Sequence, residues 1–331
     1  NITIGAVIGF LLSCTAVAGV EDKYLWIKKD GEIKFNTTAT IDADGSWSEK
    51  NPYANAGNTW IDNTYTNNMT LSSSKANGEY EDEYGYNCAM SYGLRLSGDL
   101  AEVKFINNGS ITGIMDNGFS NRGYGIHNSA EMGNIENTGV ISGSGSGGNN
   151  AYSYGIFNAS SKKIGNIENT GIINGYGTSS GVSYVVGFGI NNAATMGSIT
   201  NAGIISGIGT SAGIGISNSA NSKQMGAITN TGIIYGTSNA INRDNGTIDP
   251  SSNYGILVNG DGNNDVVQGL KIVDETPEAK QILNKGLIFT AVDGGYKADE
   301  DEYGKFGKAF DKDAGTRIIN AAASGNGKDD I

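Results

Sequence analysis

The chain contains one histidine, His127. A lone imidazole cannot build a histidine zinc site, and catalytic relays need partners held in reach. The segment around it, Tyr124-Gly125-Ile126-His127-Asn128, recurs along the chain, and Phe157, Asn191 and Ser217 stand where His127 does. Strand alternation turns His127 away from Ile126, so it is expected to face outward with no chemical task.

Carboxylates offer the other route to chemistry. Glu79, Glu81, Asp82 and Glu83 form one acidic run, interleaved with Tyr80, Tyr84 and Tyr86, and Asp299 to Glu302 form another. Paired acids serve hydrolysis or calcium binding, but both runs fall outside the regular repeats and read better as solvated loops. Polysaccharide cleavage on a β-helix would need acids beside Arg or Lys on consecutive turns, and Arg95, Arg122, Arg243 and Arg317 are scattered. The segment from Gly260 to Val266 (GDGNNDV) resembles the calcium-binding glycine-rich nonapeptide, with Asp261 and Asp265 as its acids. It departs by one inserted Asn and occurs once, whereas calcium in such motifs is shared between stacked copies, so a polar turn is the stronger reading. No catalytic residue and no cofactor is expected.

What must position these residues is a repeat. The unit apolar-x-Asn-x-Gly-x-Ile-x-Gly occurs as Phe105–Gly113, Ile135–Gly143, Ile167–Gly175, Ile199–Gly207 and Ile228–Gly236, with a degraded copy at Ile282–Thr290. The closing glycines, Gly113, Gly143, Gly175, Gly207 and Gly236, lie 30, 32, 32 and 29 residues apart. Between them falls aromatic-Gly-Ile-x-Asn, as Tyr124–Asn128, Tyr154–Asn158 and Phe188–Asn192, and Tyr92-Gly93-Leu94 fits an early copy. Met132-Gly133, Met196-Gly197 and Met225-Gly226 form a third element.

Each segment is too short for a helix and alternates with period two, which gives short strands joined by Asn- and Gly-bearing corners. Three strands per repeat of about 30 residues is the outline of a parallel β-helix. The fold class is therefore all-β, a right-handed parallel β-helix (solenoid) with an N-terminal cap. Stacking is expected to superpose Ile135, Ile167, Ile199 and Ile228, and to bury Tyr124, Tyr154 and Phe188 on the face of Ile126. Asn107, Asn137, Asn169, Asn201 and Asn230 should form an amide ladder, each worth less than an inward Ile. Runs such as Ser144 to Asn150, Tyr176 to Tyr184 and Gly209 to Ala212 read as loops on one side of the rod.

Composition bounds function. Net charge is −12 with pI near 4.6, which disfavours nucleic acid and anionic lipid surfaces. Residues 2–18 are apolar and uncharged and end in Ala16-Val17-Ala18, a signal-peptidase pattern, so cleavage is expected after Ala18. Residue 1 is Asn and no basic segment precedes the apolar run, so the sequence is expected to start slightly inside its gene product. Leu11-Leu12-Ser13-Cys14 offers a lipoprotein signal as the second choice. Cleavage leaves Cys88 alone, without a disulfide partner. The expected organisation is a signal at 1–18, a cap with irregular early turns at 19–99, regular repeats at 100–273 and degraded repeats at 274–331, ending inside a longer protein.

The signal, the Asn- and Gly-rich IxNxGxIxG repeats and the scarcity of Cys together resemble the passenger region of autotransporter (type V secretion) adhesins, over roughly residues 100–260. The resemblance implies a β-helical stalk on a Gram-negative cell surface, held to the outer membrane by a C-terminal barrel that this sequence lacks. It implies attachment to a host-cell or bacterial surface protein or glycan. A secreted polysaccharide lyase or hydrolase and a purely structural surface protein are the alternatives.

Overall fold

A computed structural model describes the strand segments 25–28, 33–35, 40–41 and 59–61, and then residues 63–298 except 75–77, 82–86, 117–119, 147–149, 160, 179–183, 220–223, 245, 262–263 and 293–294. The signal with Ala18, much of the cap and the second acidic run lie outside these residues. The described chain is all-β, and successive turns stack as a parallel β-helix with three sheets.

One turn illustrates the construction. Asn150–Asn158 belongs to the first sheet, Ile167–Asn169 to the second and Ile172–Thr178 to the third. Each pairs in parallel register with its equivalent one turn on: Ile156 with Ile190, Ile167 with Ile199, and Ile173 with Ile205. The expected column Ile135, Ile167, Ile199 and Ile228 is present and fully buried. Ile141, Ile173, Ile205 and Ile234 form a second column, and Ile126, Ile156, Ile190 and Ile216 a third. The three meet in one continuous apolar core. Burying one such side chain contributes about 1.5–3 kcal/mol, so a turn gains its stability only when its neighbours cover it.

The second sheet ends at the asparagine corner. Asn67, Asn107, Asn137, Asn169, Asn201, Asn230, Asn253 and Asn284 are all buried, and each Nδ2 up to Asn253 donates to the Oδ1 of the next asparagine at 2.7 or 2.8 Å, so that Asn284 closes the ladder as an acceptor. The ladder thus contains every expected residue and extends beyond them at both ends. Each amide also bridges its own turn, as Asn137 Nδ2 does to the Gly139 carbonyl at 3.1 Å. A second ladder runs through Asn128, Asn158, Asn192 and Asn218, with bonds of 2.7–2.9 Å.

Glycine at the corner acts through space. Gly139, Gly171 and Gly203 lack the positive φ expected of them. A Cβ on Gly171 would overlap the Gly139 carbonyl oxygen, and one on Gly203 that of Gly171. Close approach lets the inter-turn bonding run unbroken around the corner, where Thr170 and Gly171 both donate to the Asn137 carbonyl.

Two expectations change at the junction of the third and first sheets. Ser144, Gly145 and Ser146 are strand, as are Tyr176–Thr178, so these parts of the Gly/Ser runs are not the loop that their composition suggests, whereas Gly209, Thr210 and Ser211 do lie between strands. Here the sheets meet backbone to backbone: a Cβ on Gly143 would overlap the Tyr154 carbonyl, and the Gly145 amide donates to Ser153 Oγ at 2.8 Å. Small residues in these runs serve sheet contact rather than chain flexibility.

Candidate functional site

The first sheet carries the candidate site on its outer surface. Its wide strands, Asn87–Leu100, Ser120–Met132, Asn150–Asn158 and Tyr184–Asn192, lie in parallel register. Strict alternation would put Tyr124 on the face of Ile126, and the structure corrects this. Gly125 falls between the paired positions Tyr124↔Tyr154 and Ile126↔Ile156, and a Cβ on it would point inward, 2.7 Å from Ile141 Cγ2. Gly125 and Ile126 are thus consecutive inward residues, and the alternation shifts by one. Tyr124 and His127 therefore share the outer face, while Ile126 and Asn128 share the inner one.

Equivalent aromatic residues consequently stack on the outside. Ring centroids of Tyr92 and Tyr124 are 5.2 Å apart, of Tyr124 and Tyr154 4.9 Å, and of Tyr154 and Phe188 5.2 Å, with interplanar angles of 23°, 7° and 5°. The spacing of neighbouring strands, about 4.8 Å, imposes this stack on any ring repeated at one position. The rings shield one another, and Tyr124 is buried although it faces away from the core.

His127 lies against this column, 4.9 Å from Tyr124, 5.1 Å from Tyr92 and 5.4 Å from Phe157 between ring centroids. It faces outward as expected, yet Nδ1 is sealed from solvent and has no hydrogen-bond partner. Burial, reinforced by the guanidiniums of Arg95 and then Arg122, lowers its pKa to about 3, so the ring is neutral at physiological pH. Burial also raises the Tyr92 and Tyr124 hydroxyl pKa values, against the pull of nearby arginine, so both remain protonated donors.

Of the four arginines read as scattered, Arg95 and Arg122 meet here, whereas Arg243 bonds the carbonyls of Gly246 and Gly269 and Arg317 lies outside the described residues. Arg95 occupies the position of His127 one turn earlier, with Cζ 5.3 Å from the Tyr92 ring centre. Arg122 opposes the rise of the Tyr124 hydroxyl pKa and sits 5.3 Å over Tyr152. Tyr152 contacts Tyr184, whose side chain is 52% exposed. The signal for this cluster was present in the repeat: aligning Tyr92-Gly93-Leu94 with Tyr124-Gly125-Ile126 places Arg95 beside His127.

The remaining candidates stand apart. Asp261 and Asp265 are exposed; the Asp261 carboxylate accepts a bond from Asn264 Nδ2 at 3.2 Å, and the Asp265 carbonyl accepts one from Asn239 Nδ2 at 2.6 Å. Among the described residues, no three His, Cys, Asp or Glu side chains gather as a metal site. Glu79 and Glu81 lie on the strand Gly78–Glu81, antiparallel to the start of Asn87–Leu100. No family model matches the chain, and neither curated proteins nor solved structures give a match.

Proposed function

We propose that this chain is an adhesive rod, the displayed passenger segment of an autotransporter-type adhesin, secreted after cleavage at Ala18 and presented on a Gram-negative cell surface. The observation that carries the reading is the outward aromatic and arginine face on a stack of laddered turns. Side chains with large contact area and a fixed geometry make good attachment surfaces, and a rod that repeats its turns holds them at a distance from the cell. Its partner would be a host-cell or bacterial surface protein or glycan, bound through many modest contacts made effective by multivalent display.

The test is attachment of beads coated with the full chain to epithelial cells and to bacteria. Saturable attachment that soluble chain competes away supports the reading. Attachment no greater than that of albumin-coated beads on every surface refutes it. Release of unsaturated sugars from acidic polysaccharides would replace it with the lyase.

A further inference from the structure

We propose that Lys271–Val273 and Gly295–Ala298 form a clasp that keeps this end of the rod from joining a second copy of the chain. The surface beneath the clasp is the outer edge of the last stacked turn, and its partner would be the same edge on another copy. The inference stands apart from the adhesive reading.

Topology is the first argument. Gln281–Asn284 and Leu287–Val292 lie on the preceding turn in the usual parallel register, with Asn284 opposite Asn253 and Ile288 opposite Leu257. A further turn would cover their other edge. Lys271–Val273, which precedes both in the chain, lies there instead, with Ile272 opposite Ile282 and Val273 opposite Leu283. The Lys271 amide donates to the Lys280 carbonyl at 3.0 Å, and half-buried Ile272 packs against the end of the core. Gly295–Ala298 folds back antiparallel on Leu287–Val292, with Lys297 opposite Thr290. One step past Val273, Asp274 stands level with Asn284, where a further ladder asparagine would be. A carboxylate has no N–H to hand on, so the ladder stops there.

Edge chemistry is the second argument. Gln281 to Val292 contains one charged residue, Lys285, among Ile282, Leu283, Leu287, Ile288 and Phe289. Left open, such an edge is a row of unpaired amides and carbonyls beside apolar side chains, a template for another chain. The clasp replaces it with strands of three and four residues. Residues 271–280 and 295–302 carry three lysines and seven acids, a net of −4, and include the run Asp299 to Glu302 that follows the second strand in the sequence. Short, charged edges resist pairing, and identical acidic ends repel each other. The opposite end narrows the partner. Thr59–Ile61 lies antiparallel on Thr64–Asn67, and Gly78–Glu81 antiparallel on the start of Asn87–Leu100, so two sheets are covered there as well. An opened edge therefore meets its like, about a twofold axis across the rod. Such a contact closes on itself as a dimer, whereas head-to-tail contact gives filaments.

The full chain and its Val273→Pro/Lys297→Pro variant, which lacks one amide in each closing strand, are compared by sedimentation and small-angle X-ray scattering. Wild type is expected to stay monomeric across dilution. The variant should dimerise at least about tenfold more tightly than wild type, with a maximum dimension about twice the monomer's. Raised salt should strengthen that dimer by screening the acidic ends. Should the proline variant not fold, Ile272→Gly/Lys297→Gly keeps every amide, weakens both strands and should dimerise in the same end-on manner. Deuterium exchange in wild type needs no variant. The amides of Ile282 and Asn284, which face the clasp, should exchange as slowly as those one turn earlier.

The proposal is overturned by a folded variant that stays monomeric at high salt, by side-by-side dimers, or by filaments. It is equally overturned by a wild type that dimerises end to end with the clasp in place, or by fast exchange at Ile282 and Asn284, which would show the edge to be open.

Discussion

Replacing Asn169 by alanine tests how the turns are locked together. Asn169 Oδ1 accepts from Asn137 Nδ2, and its own Nδ2 donates to Asn201 Oδ1, both at 2.8 Å, as well as to the carbonyls of Gly171 and Ile204 at 3.2 Å. Truncation removes both ladder bonds, each worth about 1 kcal/mol net. Asn137 Nδ2 retains the carbonyls of Gly139 and Ile172 at 3.1 Å, so it is not orphaned. Asn201 Oδ1, fully buried, loses its donor from the ladder, which adds roughly 1–3 kcal/mol. The sum is about 3–5 kcal/mol, within the range of about 2–5 kcal/mol for Ile167→Ala beside it. The sequence reading ranks the asparagine below the isoleucine, and the bonding brings the two costs into the same range. Asn284→Ala, at the ladder's end, forfeits one ladder bond and should cost about 1 kcal/mol. Urea unfolding followed by circular dichroism gives the comparison, and hydrogen exchange at Ile172 and Ile204 reports local opening if the turns do not unfold together. A cost for Asn169→Ala equal to that of Asn284→Ala, or below about 1 kcal/mol, would refute the cooperative ladder.

Gly171→Ala should destabilise by at least about 2 kcal/mol, because its Cβ would overlap the Gly139 carbonyl oxygen; Gly145→Ala, whose closest approach is 2.9 Å to the Tyr152 carbonyl oxygen, should cost less in the same unfolding assay. His127 gives the chain an acid sensitivity of its own. The unfolded imidazole takes a proton near pH 6.5 and the folded one only near about 3, so between those values the unfolded state binds more protons and stability falls as pH falls. Between pH 7 and pH 4, wild type should lose about 2–3 kcal/mol more than His127→Phe, a substitution already accommodated at Phe157; a difference below about 0.5 kcal/mol would count against the buried neutral ring.

The repeat made most of the architecture legible because its turns are long, in register and marked by residues that tolerate little else. Asn107 and Ile135 are each fixed by a stack, so their period survives in the sequence. The degraded copy beginning at Ile282 still places Asn284 and Ile288 in register, since the ladder and the core column need only those two residues. Tyr124 was misread because period-two alternation assumes an even strand, and one inward glycine reverses everything on its far side. The second ladder is hidden for another reason: Asn128 shares the face of Ile126 by plain alternation, yet as the last residue of an aromatic motif it reads as a motif end and not as the start of an amide stack with Asn158. Arg95 and Arg122 look unrelated in sequence because their meeting depends on two different columns and two different turns. Glycine at the corners was placed correctly and explained wrongly, since crowding between chains leaves no trace in a single strand's preferences.

Ladder bonds stay at 2.7 or 2.8 Å while the chain spent between them varies from 23 to 40 residues. The asparagines thus act as a ruler that measures turns and ignores contour length. Extra residues within a turn leave the bond from one turn to the next unchanged, so the reach of the stack follows the number of its turns and not the length of chain that it spends.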